Sequence, residues 1–592
     1  MSKKVIVLGA GYAGIEAALT LQKKKKKEDD IEITIIDKNT YHTLLTELHE
    51  VAGNRIREEG VIVPLRDIFK YSDVKIVQDE INGIDFENNK LLSSSREYHY
   101  DYLILAAGSE PNFFGIPGIQ EHAFTIWSYE QAIRIREHIR KCFVKASQEQ
   151  DKAKREQLLC FVVGGGGFTG VETIGEIANW VKQLCREYGV DRNEVKLILV
   201  EALGSILTNL KERGAKKSMD YLVNKLGVEV LLNSAVSSVT ADHVEIKTGR
   251  VIPTKTLIWT AGVKANSLAE KLDINRSRAS RIVVNEYAQT QYKNVYSVGD
   301  ISAFSTGENQ ILPALVESAM QTGKGAALNI LADIRGKEKE KIKPKLHGVM
   351  VSVGAFFAQS NIMGRELPTW LSILMKYMVN IHYLFGIGGF ELVFRYIKDE
   401  LLFKQQDKFL LEKHYSVMTP AFWLVPIRLF LGYKWLMEGI EKVQQGWFTK
   451  ALLAGLPGAD AGSSASVTDT GETVFRIISE HTPGWYAWIA TNIVIPNAIL
   501  FQVLIVLAEI GIGLALLSGT FTFIAALGSL ALNVNFLLST GMYEYDWWFI
   551  PAALCLLGGA GRAFGVDHYL MPYLMKQWRY FVRNRKIKLW LR

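Results

Sequence analysis

Val5-Ile6-Val7-Leu8-Gly9-Ala10-Gly11-Tyr12-Ala13-Gly14 and Leu158-Leu159-Cys160-Phe161-Val162-Val163-Gly164-Gly165-Gly166-Gly167-Phe168-Thr169-Gly170 are one pattern written twice in a single chain. Each is a short apolar run of strand type that breaks into a glycine-rich turn and opens a helical pattern, through Leu21 in the first copy and over 171–184 in the second. In G-x-G-x-x-G the first glycine permits the tight turn and the second admits a pyrophosphate against the backbone. The third lets helix and strand pack closely, and the helix N-terminus adds the positive end of its dipole. An acid at the end of the next strand completes the pattern by bonding ribose hydroxyls. The strand over 31–36 ends on Asp37, 23 residues after Gly14, and the strand over 195–200 ends on Glu201. A lone glycine motif is weak, but two copies with strand, helix and acid in place predict two dinucleotide sites. The fold class is therefore α/β, with two Rossmann-like dinucleotide-binding domains.

Working outward, three more apolar runs break at glycine: 102–108 ending Ala107-Gly108, 257–262 ending Ala261-Gly262, and 295–300 ending Gly299-Asp300. Each is a place where backbone can lie against a ligand. Two dinucleotide sites about 150 residues apart suggest one bound flavin and one exchangeable nicotinamide, hence hydride transfer. A carboxylate at Glu201 would bond the ribose of NADH and repel the 2′-phosphate of NADPH. No arginine immediately follows it, so NADH is favoured.

At 592 residues the chain exceeds one core. Its apolar fraction of 48% averages a soluble-looking front of about 410 residues with an apolar back. Four apolar runs, 420–440, 494–517, 520–540 and 547–565, approach the roughly 20 residues that cross a bilayer and predict four crossings. Trp485, Trp488, Tyr543, Tyr545, Trp547 and Trp548 cluster near the ends of these runs, as interfacial aromatics do, and Ala459–Glu472 reads as an exposed loop. The net charge of +7 equals that of residues 576–592 alone, which carry seven bases and no acid. A basic tail after an apolar segment fits anionic lipid headgroups and argues against nucleic acid. The start of the chain runs straight into a strand with no cleavable leader pattern. The expectation is a multi-pass cell-membrane protein whose catalytic front and C-terminal tail are both cytoplasmic, which four crossings satisfy. Cys142, Cys160, Cys185 and Cys555 form no close pair, so neither a disulfide framework nor a metal site is expected.

These residues resemble the two-dinucleotide-binding-domain flavoproteins, and within them the type II NADH:quinone oxidoreductases. The resemblance rests on Gly9–Gly14, Tyr41-His42-Thr43, Phe114–Gly118, Gly165–Glu172, Thr260–Val263, Tyr296–Asp300 and Ala319–Gly323, and spans about residues 1–400. It implies FAD and NADH as cofactors, and a membrane quinone, of the menaquinone type, as acceptor without proton pumping. A homodimer is compatible with it. FAD would meet Gly9, Gly11, Tyr12, Ala13, Gly14, Asp37, Lys38, His42, Thr43, Ala107, Gly108, Gly299, Asp300 and Ala319. NADH would meet Gly165, Gly167, Phe168, Thr169, Gly170, Glu201 and Gly262. The resemblance gives catalytic roles to Glu172, near flavin and nicotinamide, and to Glu317 and Gln321, four apart on one helical face at the quinone edge. Here the chain departs from the pattern: Glu317 stands where the family has glutamine, and Thr322 also differs.

The implied domains are 1–150 and 281–345 for FAD, 151–280 for NADH, 346–412 as a membrane-interface region and 413–592 as the transmembrane part. In the interface region Trp370, Leu371, Ile373, Leu374, Tyr377, Met378 and Ile381 form one apolar stripe with Lys376 off it, which fits a helix lying on a membrane or an ordinary packed helix. The last part resembles the DoxX-like family of four-helix membrane proteins through Arg428, Gly432, Glu438-Gly439, Lys442, Gly561-Arg562, Gly565 and Asp567. Inside it, matched depths in adjacent helices predict an ion pair between Arg428 and Glu509. Other readings are a sulfide:quinone or disulfide reductase, which the unpaired cysteines disfavour, and a membrane redox sensor or scaffold that binds NADH but turns over slowly.

Overall fold

The computed structural model describes residues 2–305, 307, 311–402, 420–454, 465–467, 473–478, 482–539 and 547–585. Tyr543, Tyr545, most of the loop over 459–472 and the bases at 586, 588 and 592 lie outside the described residues. Two compact units are present, Met1–Ser416 and Val417–Lys586.

The first unit opens with β1 (Lys3–Leu8), α1 (Tyr12–Lys24), β2 (Ile31–Asp37), β3 (Lys75–Gln78) and β4 (Tyr102–Leu105). The second dinucleotide fold follows as β5 (Phe124–Thr125), β6 (Cys160–Gly164), α2 (Phe168–Tyr188), β7 (Lys196–Val200), β8 (Glu229–Leu231) and β9 (Thr256–Trp259). The chain then returns through β10 (Val295–Ser297) and α3 (Val316–Ile334), and ends the unit with β11 (Gly348–Ser352), β12 (Ala358–Ile362) and α4 (Thr369–Leu402). One parallel sheet has the order β10-β4-β1-β2-β3 and the other β5-β9-β6-β7-β8. Strands buried on both faces must be apolar throughout, and Val5, Val7, Phe161, Val162 and Val163 are fully buried. In each sheet the strand preceding the glycine turn sits in the middle, so both turns emerge at carboxyl ends of central strands, where open α/β sheets bind ligands.

Helix α4 is broken at Gly389, where φ is +71°. The sequence stripe divides between two faces. Trp370, Leu374 and Met378 are exposed, joined further along by Phe390 and Phe394. Lys376 and Tyr377 instead turn toward the protein, where Lys376 is paired with acids and Tyr377 donates to Glu400 at 3.2 Å.

The second unit holds α5 (Val425–Gln444), α6 (Ala498–Ser518), α7 (Thr522–Ser539) and α8 (Phe549–Leu556). Among the described residues two helical runs are long and apolar enough to cross a membrane: Gly484–Ser518, 35 residues, and Thr522–Ser539, 18 residues. The run expected as a crossing over 547–565 is α-helical only for the eight residues of α8, with one short 3-10 turn at Ala560–Arg562, because Gly558 and Gly559 intervene, the latter at φ +96°. Helices α5 and α6 approach at glycines: a Cβ on Gly513 would lie 2.6 Å from Leu436 N, and one on Gly439 would lie 2.6 Å from Ile510. Small residues at such crossings let backbones meet where apolar solvent gives no hydrophobic drive.

The expected Arg428–Glu509 pair does not form. Arg428 Nη1 donates to the carbonyls of Ala560 and Ala563 at 2.8 and 2.9 Å, and Nη2 to that of Phe564 at 2.9 Å. Glu509 instead accepts from Lys442 Nζ at 2.9 Å. The cause is antiparallel register. Gly432 meets Leu516 and Leu517, and Gly439 meets Glu509 and Ile510, so Glu509 is level with the region of Gly439 and Lys442. Arg428 lies eleven residues before Gly439, about 16.5 Å along the helix at 1.5 Å per residue.

Candidate functional site

The two glycine turns are built alike. Gly9 has φ +107° and Gly165 +114°, conformations open to glycine. A Cβ on Gly14 would fall 1.9 Å from Gly9 O, and one on Gly170 would fall 1.8 Å from Gly165 O, so each third glycine lets the helix start on top of the turn. The middle glycines differ in kind: a Cβ on Gly11 or Gly167 would meet nothing within 4 Å. Open space there, beside the N-termini of α1 and α2, is what a pyrophosphate requires. The two acids also match. Asp37 accepts from the N–H groups of Ala10 at 2.6 Å and Asn39 at 2.7 Å, and Glu201 accepts from those of Gly166 and Leu203. Each carboxylate is thus fixed against the second residue of its own glycine motif. Burial pushes the Asp37 carboxyl up while these N–H bonds oppose the shift.

Around the first turn the structure gathers most of the predicted residues. A Cβ on Gly9 would approach Ala106 O and Ala107 N, and one on Gly299 would approach Ala13 and Ala319. Gly299 N–H donates to Thr322 Oγ1 at 3.1 Å, which ties α3 to the turn. Asp300 accepts from Ser109 Oγ at 2.8 Å, next to Gly108, whose φ is +71° with open space beside it. His42 lies in the short strand Tyr41–Thr43, which pairs with Ile62–Pro64. Burial pulls its imidazole down to about 4, so the ring is neutral. Its Nδ1 therefore donates to Ala10 O, 3.0 Å away, and Nε2 accepts from Tyr383 of α4 at 2.9 Å. Thr43 shares that strand, whereas Lys38 is exposed and engages Gln78 only through its carbonyl. Around the second turn, Gly165 abuts Thr260 and Ala261, and Phe168 and Thr169 open α2. Gly262, at φ +81°, faces the ring of Phe114. These turns fit two dinucleotides.

Glu172 sits one turn into α2. Its Oε1 accepts from Ser352 N at 3.1 Å, and His49 Nδ1 lies 3.7 Å from Oε2. Burial pushes the carboxyl up to about 8, against the opposing pull of Lys376. Beneath it lies a buried charge cluster that the sequence did not disclose. Arg55 is paired with Glu50 and, at 3.1 Å, with Glu176, while Lys376 is paired with Glu50 and, at 3.3 Å, with Glu47. His49, Glu50 and Glu176 converge within 4.8 Å in the manner of metal ligands, but Arg55 and Lys376 already neutralise the two carboxylates. The available signal was the i,i+4 pair Glu172 and Glu176 on α2.

Glu317 and Gln321 point together from α3, as their spacing predicts, but both are engaged with chain rather than free. Gln321 donates through Nε2 to Lys345 O at 2.7 Å and accepts through Oε1 from Lys345 N at 2.8 Å. Glu317 accepts from His347 N at 3.0 Å and from its ring Nδ1. The segment so held leads directly into β11, whose other end, Ser352, binds Glu172. As for a thiol-based redox centre, the cysteines are all free, and burial pushes Cys142 and Cys160 up to about 11.

The sequence profile of the family described as pyridine nucleotide-disulphide oxidoreductase matches residues 3–323. The type II NADH:quinone oxidoreductase of Staphylococcus aureus (strain NCTC 8325) is 32% identical over 397 residues, covering 66% of this chain and 98% of the relative. That of Staphylococcus haemolyticus gives the same figures. Among solved structures, NDH2 of Plasmodium falciparum in complex with NADH aligns with a TM-score of 0.61 at 18% identity, over 68% of this chain and 98% of that one. The sulfide:quinone oxidoreductase of Aquifex aeolicus aligns at 0.53 and 19%, over 65% and 92%. These two structures share the fold, and the Staphylococcus relatives carry the closer assignment. The chain belongs to the pyridine nucleotide-disulphide oxidoreductase family and, within it, to the type II NADH:quinone oxidoreductases.

Proposed function

We propose that this protein oxidises NADH and passes two electrons through FAD to a membrane quinone of the menaquinone type, without pumping protons. The observation that carries the reading is the pair of matching glycine cradles, each open at its middle glycine and each closed by an acid fixed at the strand end. Bound FAD supplies the chemistry of accepting a hydride and releasing electrons singly or in pairs. The protein's own residues position and select. Asp37 and Asp300 hold the first nucleotide. Glu201 meets the adenosine ribose of the second and rejects a 2′-phosphate. Glu172, with its carboxyl raised to about 8, holds a proton at neutral pH between the two sites.

The exposed side chains of α4, Trp370, Leu374, Met378, Phe390 and Phe394, support a membrane-surface role for the 346–412 region. The second unit we assign to a DoxX-like membrane domain of four helices, with tail and catalytic part cytoplasmic. Supporting this, residues of that resemblance converge. Arg428 approaches the backbone at Gly565, and Asp567 accepts from Phe521 N and Thr522 N at the start of α7.

The test is steady-state oxidation of NADH and NADPH with soluble benzoquinones and naphthoquinones. Fast turnover with NADH is expected. Turnover far below that of a respiratory enzyme would instead favour a redox sensor. Glu201→Gln should raise the relative use of NADPH, and an unchanged cofactor ratio would move the choice to another residue.

A further inference from the structure

Phe114 combines three features that core packing does not explain. It is 63% exposed. It is a bulky residue at φ +50°, a region that few side chains of its size occupy. Its ring also lies so close to Gly262 that a Cβ there would fall 2.8 Å from it. The backbone on either side is anchored. Phe113 and Ile116 pack on the core of the second dinucleotide fold, Asn112 Oδ1 accepts from Phe114 N at 3.0 Å, and Asn112 O accepts from Trp259 Nε1 at 2.8 Å. The aromatic ring is thus carried outward on a fixed stretch of chain, and backbone strain of this kind clusters where ligands are clamped.

Strand order decides which end of a nucleotide would lie beneath the ring. β6 carries the second glycine turn, with β7 on one side and β9 on the other. Glu201 ends β7 and takes the adenosine ribose, so a dinucleotide crossing the turn lays its nicotinamide half over the end of β9. Thr260, Ala261 and Gly262 follow β9 there. Ala261 N lies 2.9 Å from the place of a Cβ on Gly165, and the Phe114 ring covers Gly262. The first turn is tied to the same spot. Ser109–Pro111 pairs antiparallel with Val263–Ala265, Ser109 Oγ donates to Asp300, and Asn112 N–H donates to Gly262 O at 3.2 Å.

We infer that Phe114 is the residue that meets the nicotinamide ring of the bound nucleotide, positioning it and shielding it from water. The inference rests on the NADH reading above. In hydride transfer the C4–H bond of the dihydronicotinamide breaks, both electrons leave with the hydrogen for the flavin, and the nicotinamide becomes cationic. The face of a phenyl ring attracts that cation, so Phe114 favours the oxidised nucleotide as well as covering the reduced one.

The experiment is calorimetric titration of the full-length, FAD-loaded, oxidised protein in detergent with NAD⁺ and with ADP-ribose, which is the same ligand without its nicotinamide. Phe114→Ala should weaken NAD⁺ binding about tenfold, within the range of a desolvated contact between a cation and an aromatic face, and leave ADP-ribose binding unchanged. Phe114→Tyr, which keeps the face, should bind both as the parent does. Flavin absorbance and melting temperature report whether each variant is folded and loaded. A Phe114→Ala protein that binds NAD⁺ as tightly as the parent overturns the inference. So does one that loses NAD⁺ and ADP-ribose equally, which would make the segment a support of the glycine turn. A parent protein that binds neither ligand overturns the NADH reading and the inference together.

Discussion

Replacing Arg428, Lys442 and Glu509 singly and in pairs separates two arrangements of charge inside the second unit. Arg428 is 1% exposed and spends its guanidinium on three backbone carbonyls, and Glu509 is fully buried against Lys442. Removing one side of a buried charged contact costs about 3–5 kcal/mol, since the partners are left without compensation. Arg428→Met leaves the carbonyls of Ala560, Ala563 and Phe564 orphaned. Glu509→Gln leaves Lys442 facing an amide. The first loss falls near Gly519 and Gly565, and the second near Gly439. Sites that share no partner add within about 0.5 kcal/mol, whereas residues in contact couple by roughly 0.5–3 kcal/mol. Arg428→Met with Glu509→Gln should therefore be additive, and Lys442→Met with Glu509→Gln should cost about 1–3 kcal/mol less than the sum. Unfolding in detergent followed by tryptophan emission suits the measurement, because Trp435 and Trp447 are both buried in this unit. Coupling between Arg428 and Glu509 above about 1 kcal/mol, with Lys442 and Glu509 additive, would refute the register argued from Gly432 and Gly439.

Gly170→Ala should abolish NADH binding while FAD is retained, because the new Cβ lies 1.8 Å from Gly165 O; titration of the flavin-loaded protein with NADH checks it. Tyr383→Phe removes the hydrogen bond that orients His42 and should weaken FAD retention about fivefold, the equivalent of roughly 1 kcal/mol, read from free-flavin fluorescence on dilution. For pH, the Glu172 carboxyl is raised from its ordinary value to about 8, so between about 4.5 and 8 the folded protein binds a proton that the unfolded chain has lost. Its contribution to stability therefore falls as pH rises through that window, and Glu172→Gln should flatten the decline in melting temperature; an unchanged slope would assign it to other groups.

The glycine turns were readable because their requirements are local. A positive φ at Gly9, room for a helix at Gly14 and an acid at the end of the next strand all fall within 37 residues, and the structure meets each one. The partner of Arg428 was not, for a specific reason. Sequence gives a residue's distance along its own helix, but which residue of the next helix lies level with it depends on where the glycines interlock, and α5 begins at Val425 rather than 420. The same limit hid the cluster under Glu172. Lys376 reads as a lysine off an apolar stripe, and only the fold brings it to Glu47 and Glu50, more than 300 residues earlier.

What the fold adds at the candidate site is a connection between two residues that sequence could treat only separately. Glu172 belongs to the helix of the second nucleotide turn and Glu317 to the helix packed on the first, yet each is bonded to the same short segment, at Ser352 and at His347. Five residues of strand at about 3.4 Å each separate those ends by roughly 17 Å, a span that a single bound nicotinamide or quinone would not bridge. Neither acid then has to approach the other's ligand. One is half-buried, its carboxyl pushed up to about 8, and the other, at the exposed end, is joined to His347. The two acids are thereby fixed to opposite ends of one strand, so a substitution at either should disturb its own end first.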